Sequence, residues 1–407
     1  MTGQRGSEPV VVAARRTWIG TAGHGHRSLS EVDLAATALA ATLDDARSLG
    51  VTMGVDDVVL GSCTGPGGNV ARVAALAAGA GSRVPGLTVD RQCASGLAAV
   101  LLAAQQVRAG EAALVLAGGA ESASRAPARA HRAPWGDVPY ARAAFAPAPW
   151  ADPGMGAAAD ALARDRGITR ARQEAYAVRS HARALAAHAG GRFDAETVAV
   201  GREGSRLARD ERARRLDPAV VARLSPAFTP DGTVTAATAS PVSDGAALLA
   251  VVPETVRHAF GIPGLRVVAS ATVGCDPALP GWGPVPAVRA VLDRAGARLD
   301  DVAAVEIVEA FAAQVLAVTD ALGLDPLGDG AGTDADRRGV GPGGDERVCA
   351  DGGALALGHP WGASGAVSVV RLYSRLVRAQ APAGSLGLAT AAVGGGLGVA
   401  ALVEVVR

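Results

Sequence analysis

The sequence predicts an α/β fold built as two similar halves with a different segment between them. Short β-rich runs alternate with long alanine-rich amphipathic stretches, the mark of an α/β chain. Motifs of the first half return in the same order in the second. Between the two sets, roughly from Glu121 to Ser243, the composition turns rich in arginine, proline and charge.

In chain order, Val10–Ala13 reads as a buried strand. Ser30 stands where it can cap a helix over Glu31–Leu49. A strand is expected at Asp57–Leu60, a helix at Leu97–Ala109 and a strand at Ala113–Ala117. The central segment predicts a helix over Arg170–Ala189 and a loop at Pro226–Gly232, as expected of a lid or a ligand-gripping insertion. The Gly- and Asp-rich stretch 325–345 reads as an exposed loop. The repeat pairs Asp56-Asp57-Val58-Val59 with Asp300-Asp301-Val302-Ala303, and Cys93-Ala94-Ser95-Gly96 with Gly362-Ala363-Ser364-Gly365. Each member of the second pair opens a helix and is followed by an apolar strand running into glycines, Leu114–Gly119 and Leu386–Gly396.

Composition excludes several functions. The 407 residues carry 39 basic and 39 acidic side chains, and a nucleic-acid binder usually shows a basic face. Every basic residue is arginine, so neither a lysine Schiff base nor a P-loop lysine is available. The four cysteines, Cys63, Cys93, Cys275 and Cys349, are too few and too scattered for a disulfide scaffold or a CxxC metal site. The polar start lacks a secretory pattern and the apolar runs are too short to span a bilayer. A cytoplasmic protein with no metal and no nucleic-acid or membrane partner is the expectation.

In such a chain a working cysteine reads as a nucleophile rather than a staple. Cys93 stands where an apolar run enters a small-residue turn that opens a helix. A helix N-terminus favours the thiolate, and a tight strand-to-helix turn exposes the sulfur. His359, in Gly358-His359-Pro360-Trp361, occupies the duplicate of that turn. If the halves face each other, the two residues form a nucleophile–base pair. Gly394-Gly395-Gly396 offers free backbone N–H groups suited to an oxyanion hole. A buried structural cysteine, a structural histidine and an ordinary glycine turn are the competing readings.

Taken together these motifs resemble the thiolase family along nearly the whole chain. The opening Val10–Thr17, the turn Cys93-Ala94-Ser95-Gly96, Gly118-Gly119-Ala120-Glu121-Ser122, Asp231–Ala236, Ser243–Ala247 and Gly352–Pro360 match in order. The resemblance implies a duplicated five-layered α/β fold with an inserted loop domain that grips coenzyme A, assembled as a homodimer or homotetramer. By the same resemblance, residues 1–120 form the N-terminal half, 121–243 the loop domain, 244–270 a return to the first half and 271–407 the C-terminal half. Cys93 would take the acyl group from an acyl-CoA, or from an acyl carrier protein, with His359 as activator. The amides of Cys93 and Gly394 would form the acylation oxyanion hole. Ser240 and Met155 would line the pantetheine tunnel and Arg223 would meet the CoA phosphates. The coenzyme A thioester is substrate; no permanent cofactor is implied.

Two departures bear on the chemistry. The family's second catalytic cysteine falls on Ala392, and the asparagine of its Asn-Glu-Ala-Phe motif falls on Val308. Alanine cannot take a proton from acetyl-CoA, nor can valine position a water. Three outcomes follow: transfer to an acceptor that needs no strong base, a base relocated to a residue such as Cys349, or acyl-CoA binding without turnover. Trp361 and Trp18 replace smaller residues usual in the family, and Trp361 would either narrow or reshape the acyl pocket or pack in the core.

Overall fold

A computed structural model describes residues 7–201, 206–330 and 344–407. The first half contributes β1 (Pro9–Thr17), α1 (Glu31–Ser48), β2 (Asp57–Gly61), α2 (Val70–Ala77), β3 (Leu87–Val89), α3 (Ser95–Ala109) and β4 (Val115–Ser122). The central segment holds a hairpin of β5 (Ala130–Ala133) and β6 (Gly136–Pro139), then α4 (Met155–Asp165) and α5 (Arg170–Ala189). The chain returns through β7 (Ser243–Pro253). The second half follows with β8 (Gly264–Gly274), α6 (Pro284–Ala295), β9 (Val302–Ile307), α7 (Ala312–Leu322), α8 (Trp361–Leu372), β10 (Leu386–Val393) and β11 (Leu397–Val406).

Local chemistry explains the boundaries. Ser30 and Asp33 close a reciprocal capping box on α1. α3 stops at Gly110, whose φ of 77° needs no Cβ. The strands on which the core rests, β4 and β7, are buried along nearly their full length, so they read as continuous apolar runs.

The main sheet runs β9-β10-β11-β8-β1-β7-β4-β2-β3. It is symmetric about the antiparallel β1–β8 pair. On one side β7 is antiparallel to β4, while β4, β2 and β3 are parallel. On the other β11 is antiparallel to β10, and β10 and β9 are parallel. A register shift interrupts β1 against β7 between Val11 and Ala13, and β8 against β11 between Val267 and Ala269. Even β3 has a counterpart, because Val348 bridges in parallel to Val305 on the outer side of β9. The expected duplication is therefore physical.

Helices α3 and α8 pack on each other between the two halves of the sheet. Helix α1 covers the outer face of the first half and α6 that of the second. The middle layer is tight because glycines let backbones touch. A Cβ on Gly119 of β4 would lie 2.0 Å from the Gly362 carbonyl of α8, and one on Gly96 of α3 would lie 2.8 Å from the same oxygen. Buried charges tie the central segment to this frame. Arg16 of β1 bonds Glu196 and Asp210, each at 2.7 Å, and Arg371 of α8 bonds Glu196 and Asp351.

Part of the predicted 325–345 loop lies outside the described residues. Up to Gly330 it is organised by Asp325, whose carboxylate accepts from the amides of Gly328, Asp329 and Gly330. Among the described residues, no helix is long and apolar enough to cross a membrane.

Candidate active site

The Cys93 turn is braced from its own residues. After β3, Asp90 Oδ1 accepts from the Gln92 amide at 2.8 Å. Gln92 then takes a left-handed φ of 46°, and Cys93 sits in the single helical turn Gln92–Ala94 just ahead of α3. A non-glycine residue in that region stores about 1–3 kcal/mol of strain and persists only when its surroundings hold it. They do: Ser95 Oγ accepts from the Arg91 amide and donates to the Gln92 carbonyl, both at 2.7 Å. The Cys63 thiol donates to the same carbonyl at 3.1 Å. The turn expected at this point is present, with the strain one residue ahead of the cysteine.

One expectation needs correction. The thiol of Cys93 is not poised as a thiolate by its helix. Burial pushes its pKa up to about 12; the hydrogen bond at its own amide opposes this, and the carboxylates of Glu121 and Asp90 add to it. Desolvation and two negative groups outweigh the helix end.

His359 lies in the turn ahead of α8 and is buried. Its Nδ1 lies 2.6 Å from Ser364 Oγ. Because the Ser364 hydroxyl donates its own proton to the Pro360 carbonyl at 2.9 Å, Nδ1 is the donor to it. The tautomer is thereby fixed, and the lone pair is left on Nε2, which is buried and has no hydrogen-bond partner among the described residues. Burial lowers the imidazole pKa to about 4, so the ring is neutral at pH 7. At rest the two candidates are thus a neutral thiol and a neutral base.

The third turn, Gly394-Gly395-Gly396, leaves β10. A Cβ on Gly394 would meet the Phe145 ring at 2.7 Å, so Phe145 from the central segment lies over this turn. β10 and α8 both pack against the Cys93 turn. Three elements far apart in sequence therefore meet, and each brings one of the three predicted groups.

The departures lie in the same place. Ala392 is the penultimate residue of β10 and is buried. Val308, directly after β9, donates its amide to the Thr390 carbonyl at 3.0 Å and buries its side chain in the apolar core. With Gly353, Leu357, Ser364 and Val367 it lines a small cavity of about 20 Å³. Cys349 lies behind β9 in the second core, its thiol donating to the Ile307 carbonyl and accepting from the Ile307 amide, both at 3.5 Å. Burial first, then Glu309 and Glu306, push its pKa well up. Those contacts make it a core residue, which removes it as the relocated base.

The predicted binding residues are placed unequally. Ser240 is half-buried and its amide donates to the Ala310 carbonyl at 3.0 Å. Its segment bridges Phe311 at Ala239 and His359 at Val242. Met155 opens α4, where Gly156 packs on Phe228, and Phe228 meets Phe311 edge to face at 5.8 Å. Both thus lie beside the site. Arg223 is exposed on the turn after a short helix, Pro218–Val221, and is not drawn into it. Trp18 packs its ring on His188 at 5.6 Å and under Arg16, as a structural contact.

Sequence reasoning missed Cys63, Glu121 and Phe145. The family-like Gly-Gly-Ala-Glu-Ser run pointed at Glu121 without giving it a task. Nothing local marked Phe145, since its partner is a glycine some 250 residues later.

A symmetric α/β frame with thiol, imidazole and glycine turn at its seam defines a class of acyl-transfer enzyme. The comparisons name the family. Residues 9–255 match the thiolase N-terminal domain and 262–405 the thiolase C-terminal domain. The acetyl-CoA acetyltransferase of Escherichia coli (strain K12) is 39% identical over 412 residues, spanning 97% of this chain and 98% of that protein. The acetyl-CoA acetyltransferase of Pseudomonas aeruginosa is 38% identical over 409 residues, spanning 96% and 98%. The crystal structure of the Bacillus anthracis acetyl-CoA acetyltransferase superposes with a TM-score of 0.86 at 35% identity, covering 99% of this chain and all of that one. The chain belongs to the thiolase family and is an acyltransferase.

Proposed function

We propose that the protein keeps the acylation half of a thiolase and delivers the acyl group to an acceptor other than unactivated acetyl-CoA. What supports this is a contrast at one seam. The turns carrying Cys93, His359 and Gly394 come together there and His359 Nε2 has no hydrogen-bond partner among the described residues, whereas Ala392 and Val308, where the family has cysteine and asparagine, are apolar and buried.

In the acylation step His359 Nε2 takes the thiol proton of Cys93 as the sulfur attacks the thioester carbonyl. The amides of Cys93 and Gly394 hold the developing oxyanion. The carbonyl re-forms, the carbon–sulfur bond to coenzyme A breaks, and the imidazolium returns the proton to the departing thiolate. A neutral pair suits this sequence, because charge separates only when substrate has displaced water. The segment 121–243 acts as the loop domain, with Ser240 and Met155 along the pantetheine and Arg223 toward the phosphates. An acyl carrier protein carries the same pantetheine arm and is the alternative donor. The acceptor is one that reaches Cys93 with its nucleophile ready: a malonyl thioester that loses carbon dioxide, an already acidic carbon, an amine or an alcohol. Such chemistry belongs to a specialised biosynthetic reaction.

Incubation with acetyl-CoA and longer acyl-CoAs, followed by intact mass measurement, tests the reading. A one-acyl adduct should form and be absent from Cys93→Ala, and acetoacetyl-CoA thiolysis should be negligible. No adduct with any acyl-CoA, despite measurable CoA binding, would overturn it, as would thiolysis at an ordinary thiolase rate.

The fixed tautomer of His359 can be tested at Ser364. Ser364→Ala removes the acceptor for Nδ1–H. One hydrogen bond is worth about 1 kcal/mol, so adduct formation should slow roughly fivefold. The ¹⁵N spectrum of the imidazole should change from one Nδ1–H form to a mixture, and Ser364→Thr should restore both rate and spectrum.

A further inference from the structure

Glu121, fully buried at the end of β4, takes no part in the chemistry above. Its Oε1 accepts from the Thr64 amide at 3.0 Å and from the Thr64 hydroxyl. Its Oε2 accepts from the Gly362 amide at 2.8 Å and from the Cys63 amide at 3.3 Å. The two sides of the carboxylate therefore hold different parts of the site. Gly362 lies in the first turn of α8, three residues after His359. Cys63 carries its thiol to the carbonyl of strained Gln92, directly before Cys93. Through Cys63 on one side and Gly362 on the other, hydrogen bonds to this single carboxyl group link the Cys93 turn to the His359 turn.

A second carboxyl lies beside it. Glu31, in the first turn of α1, is buried next to Ser62 and interacts with Glu121. Burial first, and the charge of Glu121 second, raise its pKa to about 8. Two adjacent buried carboxyls cannot both ionise cheaply. Glu31, with its raised pKa, keeps its proton at neutral pH.

Other charged and titratable groups surround the pair. The Cys63 thiol is pushed well up by burial and by Glu121, as Cys93 is. Arg129 donates to the Cys63 carbonyl at 3.0 Å. Asp244 on β7 is bonded by the amide and hydroxyl of Ser124, and Asp33 on α1 by Ser30.

We propose that Glu121 is a positioning residue for acyl transfer, its one carboxyl group pinning the Cys93 turn to the His359 turn. The proposal rests on Cys93 being the acylated residue. Buried Glu31 interacts with this carboxyl group, so its ionisation places charge beside the pin and pushes the two turns apart.

The test measures the rate of Cys93 acylation by acetyl-CoA from pH 6 to 10, with thermal melting over the same range and down to pH 4. Glu121→Gln replaces one accepting oxygen by a donor. The catalytic turns should misalign and acylation should fall on the order of 10²-fold, the effect expected of a displacement near 1 Å. A rate within twofold of the parent, in a cooperatively folded variant, overturns the proposal. The parent should lose rate with a midpoint near pH 8, and Glu31→Gln, a copy of the protonated state, should move that limb to higher pH. An unmoved limb also overturns it, and this arm decides if Glu121→Gln does not fold. Melting separates this failure from that of the proposed function. Glu31 holds its proton in the folded chain above the ordinary carboxylate range, so the parent should lose stability as pH rises from about 4.5 to about 8, and Glu31→Gln should lack that slope. If no adduct forms in any protein, the acylation reading fails while the slope still tests the pair.

Discussion

Ala392→Cys combined with Val308→Asn should raise acetoacetyl-CoA thiolysis by on the order of 10²–10⁴-fold, with either change alone giving much less. A positioned acid–base group contributes about 10²–10⁴-fold and one oxyanion-hole donor about 10²–10³-fold. The two serve one carbanion, so their effects do not multiply. Ala392 needs one added sulfur at the end of β10, beside the Cys93 turn. Asparagine is close to valine in volume, and Val308 already borders a cavity of about 20 Å³ with Ser364. An amide in that apolar surround costs stability, about 1–3 kcal/mol, so a melting point lower by several degrees should accompany the gain. A steady-state thiolysis assay decides it. A double variant that melts cooperatively, forms the Cys93 adduct and still shows no gain would mean that the missing acid–base chemistry is not what limits the reaction.

The same residues show what was legible in the sequence. Helix 170–189 and the Ser30 cap were plain because a cap and a 3.6-residue period are local. The duplication was plain because repeated motifs carry their own order. The meeting of Cys93, His359 and Gly394 was legible only through that repeat, since sequence adjacency says nothing of how two halves face. The ionisation of Cys93 was misjudged for a related reason. A helix end can be read from sequence, but Glu121 and the depth of burial come from elsewhere in the chain. Cys349 was open until β9 enclosed it. The binding of one carboxylate to both Thr64 and Gly362 crosses some 300 residues and leaves no local trace.

His359→Ala should slow Cys93 acylation on the order of 10²–10⁴-fold and change its pH dependence more distinctively than its size. In the parent the imidazole, with its pKa near 4, is unprotonated throughout the neutral range. The rate should be level from about pH 5 to pH 7.5 and fall below about pH 4 as Nε2 takes a proton and loses its lone pair. The variant has no base, so its rate follows the thiolate. With the Cys93 thiol pushed up to about 12, the thiolate is about 10⁻⁵ of the total at pH 7 and grows tenfold per pH unit. A level parent profile should therefore become a rising line of unit slope, with no acid limb. Both are read from adduct formation against pH in a rapid-quench experiment. A variant that keeps the level profile at reduced rate would show that another group takes the proton and that His359 serves only to shape the cavity. A parent profile that rises with pH like the variant's would show that Cys93 reacts as free thiolate.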